Sequence, residues 1–179
     1  MTIVSSLGSE IDLGKIYDRI SLNEDLVSVE FADKPIRGEN KKKTLKRRSK
    51  APRKAFYNQS TFLYHDKSKA NGRPVNVKVF NNGSCQMTGV QSLSSVTEII
   101  NKMIVSFKNI DKKEGEENVL KTPDEMKIGE VKICLINSGF SIQKRVNRAK
   151  LHDICNTKNI PADYEPSIYP AVNIKYYLN

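Results

Sequence analysis

Residues 75–92 read VNVKVFNNGSCQMTGVQS, and their pattern is the clearest structural signal in the chain. Its first half alternates valine with Asn76, Lys78 and Phe80, which gives a β-strand one apolar face and one mixed face. Asn82-Gly83 marks a turn, and alternation resumes after it. The stretch therefore predicts a β-hairpin with one face turned to a core.

The length of the turn determines whether the apolar residues of the two strands lie on the same face, because a shift of one residue moves every side chain to the other face. A two-residue turn at Asn82-Gly83 would set Cys85 beside Phe80 and mix the faces. A three-residue loop that ends in a left-handed Gly83 sets Cys85 and Met87 on the valine face instead. The solvent-facing side then carries Asn76, Lys78, Phe80, Ser84, Gln86 and Thr88.

Length and composition exclude several classes of protein. The chain has 179 residues, of which 38% are hydrophobic, enough for one ordinary domain or two small ones. No segment has the length of a membrane span, and the first residues lack the pattern of a secretory signal. Three scattered cysteines argue against a disulfide framework, so we expect an intracellular, reducing location. His152 and Cys155 supply only two of the four ligands of a structural zinc site, so we expect neither metal nor cofactor.

Positive charge is concentrated in one segment. Residues 37–54 contain ten basic residues and one acid, so they account for nearly all of the formal net charge of +10. The composition predicts a disordered arm, here called the basic arm, with Lys41, Lys42, Lys43, Lys46, Arg47 and Arg48 at its centre. Two interpretations stay open: a nuclear-import or phosphate-contacting element, or a solvated charged insertion.

The other segments predict an α+β fold. Strands are expected in 1–8, 26–31, 56–64 and 130–139. Helices are expected after Ser9 or Asp12, from Ser95, and over 146–155. Ser95 followed by Glu98 predicts a capping box, and the apolar stripe of this helix is expected to cover the valine face. Charged residues 108–129 predict a linker, after which the strand-helix order begins again.

Three motifs together resemble the TATA-box-binding protein family. The hairpin matches the family's stirrup through Phe80, Gly83 and Thr88-Gly89-Val90-Gln91-Ser92. The opening strand and helix match through Leu7-Gly8 and Ile11-Asp12-Leu13-Gly14-Lys15. Tyr164-Glu165-Pro166, with Tyr169-Pro170 behind it, is similar to a segment of the family's second repeat, where Tyr169 stands in place of a Phe.

The resemblance implies a saddle in which two repeats form one curved antiparallel sheet with helices on its convex side. Residues 1–110 would be the first repeat, with the basic insertion at 37–54. Residues 111–129 would be a charged linker, and 130–179 a partial second repeat. The second repeat breaks off before its own stirrup, so we expect either a fragment or a sheet that another chain or a second copy completes.

The resemblance also implies a function. The concave side of the family's saddle lies on the DNA minor groove, and aromatic wedges kink the duplex. Carried over by position, the wedges are Phe80, Phe56 and Tyr169, and the other DNA-binding candidates are Val4, Asn76, Lys78, Gln86 and Thr88. The implied partners are AT-rich double-stranded promoter DNA, transcription factor IIB-like or other initiation factors, and RNA polymerase. The implied location is the nucleus, or a viral factory or virion.

Two departures from the family's pattern keep an alternative open. Lys78 and Gln86 stand where the family prefers apolar residues, and the chain outside the basic arm is nearly neutral. The alternative is a protein-interaction module on the same fold that no longer bends DNA. An enzyme is not expected, because the sequence has no phosphate-binding glycine loop and no catalytic constellation. The abundance of Lys, Asn and Ile indicates a large DNA virus or a fast-evolving eukaryote as the source.

Overall fold

A computed structural model describes residues 1–38, 55–67, 74–111 and 117–177. The six central residues of the basic arm lie outside these ranges. The chain divides into two compact units, Met1–Asn137 (unit 1) and Ser138–Asn179 (unit 2).

Unit 1 is built on an antiparallel sheet that has seven strands in the described ranges. These are β1 (Thr2–Ser6), β2 (Leu26–Phe31), β3 (Arg37–Gly38), β4 (Gln59–Tyr64), β5 (Val75–Phe80), β6 (Ser84–Thr88) and β7 (Lys132–Leu135). Their order across the sheet is β3-β2-β4-β5-β6-β1-β7. The predicted α+β class is confirmed.

The hairpin of β5 and β6 has the predicted register. Val77 lies opposite Met87 and Lys78 lies opposite Gln86, so the valines share a face with Cys85. Gly83 ends the three-residue loop with a φ of 78°, which a residue with a side chain rarely adopts. A Cβ at Gly83 would lie 2.2 Å from the carbonyl oxygen of Ser9, so close packing also demands glycine here.

Two helices cover the valine face. The first helix, α1 (Leu13–Arg19), begins at Asp12, whose carboxylate accepts a hydrogen bond from the backbone N–H of Lys15 at 3.0 Å. The second helix, α2 (Leu93–Asp111), brings the ring of Phe107 to 5.6 Å from that of Phe62 on β4. One apolar cluster therefore joins both helices to the sheet.

The predicted capping box at Ser95 is wrong, because α2 begins earlier. Ser92 precedes the helix, and its hydroxyl accepts a hydrogen bond from the backbone N–H of Ser95 at 3.2 Å. Ser95 itself is buried in the first turn and donates to the Asp66 carboxylate at 3.1 Å. Glu98 pairs with Lys102 at 2.7 Å instead of with the cap. Three nearby serines made the cap position ambiguous in the sequence.

Other boundaries also differ from the sequence predictions. Strand β4 begins at Gln59, not at residue 56, and only residues 132–135 of the predicted strand 130–139 pair as β7. The third helix, α3, spans Arg148–Thr157, because Asn147 caps it by accepting from the N–H of Lys150. Each shift is one to four residues at an element end, where backbone pairing with neighbours decides the limit.

Residues 117–129 pack against the rest of unit 1, although their charge predicts a linker. Val119, Leu120 and Met126 are buried. The Asp111 carboxylate at the end of α2 accepts from the N–H groups of Val119 at 2.6 Å and Leu120 at 2.9 Å. The N–H of Gly129 donates to Ser6 at 2.8 Å, so the segment leads directly into β7. The division into repeats remains a prediction.

Unit 2 contains α3 and a small hairpin of β8 (Ala162–Asp163) and β9 (Asn173–Ile174). Among its described residues only Cys155 is buried. Many of its large apolar side chains are exposed: Phe140, Ile142, Val146, Ile154, Ile168, Tyr169, Ile174, Tyr176 and Tyr177.

Candidate nucleic-acid interface

The face of the unit 1 sheet opposite the helices is here called the open face. Its residues alternate along four neighbouring strands with buried ones, and every one of them keeps solvent contact. It consists of Gln59, Thr61 and Leu63 on β4, Asn76, Lys78 and Phe80 on β5, Ser84, Gln86 and Thr88 on β6, and Thr2, Val4 and Ser6 on β1.

Strand register orders the open face into rows. The middle row runs from Thr61 through Lys78 and Gln86 to Val4, each directly opposite the next. A second row runs through Leu63, Asn76, Thr88 and Thr2. Six of the predicted DNA-binding residues, Val4, Asn76, Lys78, Phe80, Gln86 and Thr88, thus share one surface.

The polar side chains in these rows are not engaged with the rest of the protein. Within the described ranges, Asn76, Lys78, Gln86 and Thr88 make no side-chain hydrogen bond or ion pair. Their amide, ammonium and hydroxyl groups are therefore free to bind an external partner. Such a set of free donors and acceptors is typical of a recognition face.

Charge at the ends of the middle row is balanced. Glu30 on β2 lies opposite Thr61, and Lys132 on β7 lies opposite Val4. Lys132 is paired with Glu130 at 3.2 Å, with both side chains largely exposed. The open face therefore carries little net charge, as the sequence predicts for the chain outside the basic arm.

Phe80 stands at the turn end of the open face and is partly exposed. It lies opposite Gln59, and the pairing continues with a 3.2 Å hydrogen bond from the N–H of Asn81 to the carbonyl of Asn58. Phe56 comes two residues before Asn58, precedes β4 and is 56% exposed. The two predicted wedges of the first repeat are therefore near the same end of the sheet.

Tyr169 belongs to unit 2, and its side chain is 63% exposed. Its N–H donates to the carbonyl of Glu165 at 2.9 Å, which closes the turn that presents the ring. The hydroxyl of Ser167 donates to the Glu165 carboxylate at 2.5 Å and lowers the pKa of that carboxyl. Arg148 on α3 also donates to the carbonyl of Pro170. The turn is thus held by local bonds within unit 2.

The sequence pattern does not reveal that β4 contributes to the open face. Thr61, Leu63 and Gln59 face outward, while Ser60 and Phe62 face the core. The residue types on this strand are misleading, because the polar Ser60 is buried while the apolar Leu63 is partly exposed. Ser60 is satisfied in the core because its hydroxyl donates to the carbonyl of Glu30 at 2.9 Å.

Arg37 belongs to the fold, although the sequence counts it with the basic segment. Its guanidinium donates to the carbonyls of Tyr17 and Ile20 at the end of α1, the latter at 2.8 Å. It also lies 5.6 Å from the centre of the Tyr17 ring. This arginine therefore stabilises the C-terminus of α1 and fixes the start of the basic arm at the sheet edge.

The described residues show no sign of a metal centre or a membrane helix. No group of three or more His, Cys, Asp or Glu side chains within them is placed to hold a metal ion. No helix found in the same ranges has the length and apolarity needed to cross a bilayer.

Fold and surface together define a class: an α+β protein whose antiparallel sheet has one helix-covered face and one open face. The chain is 33% identical over 193 residues to a "TATA-box-binding protein-like" protein of Acanthamoeba polyphaga mimivirus. The match covers 98% of the chain but 53% of the relative, so the chain spans about half the relative's length. The chain is therefore similar, as a divergent relative, to the TATA-box-binding-protein-like family.

This relationship confirms the family resemblance of the three sequence motifs. The relative comes from a large DNA virus, which agrees with one of the two sources that the composition indicates. No protein-family model and no solved structure matches the chain.

Proposed function

We propose that this chain is a transcription initiation factor that binds promoter DNA through the minor groove and bends it. The observation that carries the proposal is the open face, where side chains from four strands keep solvent contact and where Asn76, Lys78, Gln86 and Thr88 make no side-chain hydrogen bond or ion pair within the described ranges. The two rows of the open face would offer a bound duplex donors and acceptors for its base edges. The turn end of the open face would offer it aromatic side chains.

Bending follows from the placement of the aromatic residues. Phe80 and Phe56 near one end of the sheet are suited to wedge between base steps, and Tyr169 would act in the second repeat. An apolar wedge unstacks a step and kinks the duplex toward the major groove, and the cost is offset by the additional protein surface that the bent DNA contacts.

Affinity for phosphate would come mainly from the basic arm, since the open face is nearly neutral. Neutralised phosphates release counterions, so binding that depends on the arm falls as salt is added. We further propose that the DNA-bound protein recruits transcription factor IIB-like or other initiation factors and RNA polymerase. We propose the nucleus, or a viral factory or virion, as its location.

The direct test measures binding and bending of a short AT-rich duplex labelled with a donor and an acceptor fluorophore at its two ends. Phe80→Ala is expected to abolish the increase in energy transfer on binding. Val105→Ala is the matched control, because Val105 is a 57% exposed apolar residue on α2, away from the open face. Bending that survives Phe80→Ala would contradict the wedge.

A second variant separates the arm from the open face. Replacing the six central basic residues of the arm by glutamine, with Arg37 kept, should weaken binding and flatten its salt dependence while bending at saturation persists. If binding is unbent and disappears with the arm, the minor-groove proposal fails.

One observation favours the alternative of a protein-interaction module. Strand β7 is the last strand of the sheet in the described ranges, and Ile133 and Leu135 on it are 45% and 51% exposed. An apolar edge strand can pair with a strand of another chain or a second copy. Sedimentation of the chain with and without Ile133→Lys would detect self-association through this edge, and a monomer in both cases would exclude it.

A further inference from the structure

Lys78 and Gln86 form a directly opposed pair in the middle of the open face. Their backbones are register partners on β5 and β6, so both side chains project from the same point of the sheet. Val4 on β1 follows Gln86 in the row. A polar pair therefore stands beside an apolar residue, on neighbouring strands that would cover neighbouring base pairs.

The minor groove offers few features to such a row. A·T and T·A pairs present only the acceptors adenine N3 and thymine O2, while a G·C pair adds one donor, the guanine N2 amino group. An apolar residue over a G·C pair leaves that donor buried and unpaired, which costs affinity. Discrimination against G·C at a given position therefore depends on whether the residue above it has an acceptor.

The two members of the pair differ in this respect. The ammonium group of Lys78 only donates, so it can bind the N3 and O2 acceptors that every base pair offers. The amide of Gln86 has both an NH₂ donor and a carbonyl acceptor. On the middle row Gln86 can thus accept a hydrogen bond from guanine N2, whereas Lys78 and Val4 have no acceptor to offer.

We propose that Gln86 is a specificity-determining residue that lets this protein accept a G·C pair inside its binding site, with Lys78 holding the adjacent groove acceptors. This inference rests on the proposed minor-groove function. The amide carbonyl of Gln86 accepts from guanine N2, and its NH₂ group donates to a neighbouring N3 or O2. Where Val4 covers the groove, an A·T pair is required.

The test compares G·C with inosine·C at each position of the AT-rich duplex in turn. Inosine lacks the N2 amino group, so the comparison changes the minor-groove donor and leaves the major-groove edge unchanged. The wild-type chain should bind the two duplexes equally, or prefer G·C, at one or two adjacent positions. It should prefer inosine·C at the positions covered by apolar residues.

Gln86→Leu removes the acceptor with little change in side-chain length. We expect it to shift the preference toward inosine·C by about tenfold at the Gln86 positions and to leave the other positions unchanged. Lys78→Met should weaken binding to all duplexes alike. Thr88→Val, the matched control on the same strand and face, should not move the preference at the Gln86 positions.

Gln86→Glu keeps an acceptor. It therefore shows whether an effect of Gln86→Leu comes from the lost acceptor or from misfolding of the leucine variant. It should retain acceptance of G·C while binding all duplexes more weakly, because a carboxylate faces the phosphates. If wild type bends DNA but no position responds to Gln86→Leu, this inference is overturned and the proposed function stands. If wild type binds no duplex, both fail.

Discussion

Unit 1 and unit 2 place their apolar side chains differently. In unit 1 the core residues of β4, β5 and β6 are almost completely buried under α1 and α2, and the rings of Phe62 and Phe107 are in contact. In unit 2, Phe140 is 91% exposed and Ile168 is 84% exposed, and Cys155 is the one buried residue described. The difference shows that apolar content alone does not make a core.

The physical reason is the number of layers. Unit 1 stacks two helices on a wide sheet, so each apolar face has a partner. Unit 2 has one helix and a two-residue-per-strand hairpin, and a segment of this size buries too little surface to offset its conformational entropy. The two units should therefore differ greatly in stability, and the following measurements test that contrast.

Separating the units should give the largest effect. Residues 1–137 alone are expected to unfold cooperatively in urea, whereas residues 138–179 alone should show no cooperative transition, because they lack a buried core. Circular dichroism during urea titration would measure both. A cooperative transition in the 138–179 peptide would remove the basis of the comparison.

Removing one aromatic ring from each unit should give the next largest difference, measured as the change in the free energy of unfolding. Phe107→Ala is expected to destabilise unit 1 by about 3–5 kcal/mol, since it empties a packed core. Phe140→Ala should change the free energy of unfolding by less than about 0.5 kcal/mol, because the ring is solvated. Chemical denaturation of both variants measures the difference, and equal effects would contradict the burial pattern.

Ionisation of a buried thiol should make unit 1 sensitive to alkali. Burial raises the pKa of Cys85 to about 11, above the value of an unfolded cysteine. The neutral thiol's contribution to the free energy of unfolding is fully present below the pKa of an unfolded cysteine. It is lost as the pH rises toward 11, and the loss reaches about 2–3 kcal/mol. Denaturation between pH 8 and 11 should show a shallower decline in Cys85→Ala than in wild type.

The exposed Cys134 provides the control for that experiment. Cys134→Ala should decline with pH as steeply as wild type does. An unchanged slope in Cys85→Ala would mean that other groups cause the alkaline loss.

Substitution of Gly83 in unit 1 should lower the free energy of unfolding by about 1–3 kcal/mol. Gly83→Ala puts a Cβ against the Ser9 carbonyl at a φ of 78°, so it should lower the melting temperature. Gly139→Ala meets no atom within 4 Å and should be neutral or slightly stabilising. Differential scanning calorimetry would compare them, and a tolerated Gly83→Ala would mean that the turn can rearrange.

The smallest expected difference is in thiol labelling under native conditions. Cys85 and Cys155 are similarly buried, at 1% and 3% exposure. Because unit 2 should open at a lower free energy, Cys155 should react with a thiol reagent about tenfold faster or more. Peptide mapping by mass spectrometry measures the two rates, and equal rates would indicate that the units open together.

Local patterns in the sequence predicted much of unit 1. Alternation over residues 75–92 and the position of Gly83 were sufficient for the register of β5 and β6, because a wrong register would bury Lys78 or expose Met87. The Asp12 cap was one of two candidates offered by the sequence, and the structure selects it. The same kind of pattern failed at Ser95, where adjacent serines are equivalent until the helix docks.

The candidate site was predicted only where it lies on one hairpin. Asn76, Lys78, Phe80, Gln86 and Thr88 were found from alternation, and Val4 through the family resemblance. Thr61 on β4 was not found, because its place beside Lys78 depends on pairing between distant segments. The role of Arg37 at the end of α1 was hidden for the same reason.

Local sequence patterns were sufficient to predict the hairpin, the apolar stripe of α2 and the concentration of charge in the basic arm, and short motifs were sufficient for the family resemblance. These depend on neighbours within a few residues, or on motifs that survive divergence. The three-dimensional structure was needed to show which strands lie side by side, that residues 117–129 pack on the rest of unit 1 and that unit 2 leaves its apolar residues exposed. Those outcomes depend on which surfaces meet, and contacts between distant segments leave no periodic pattern in a single sequence.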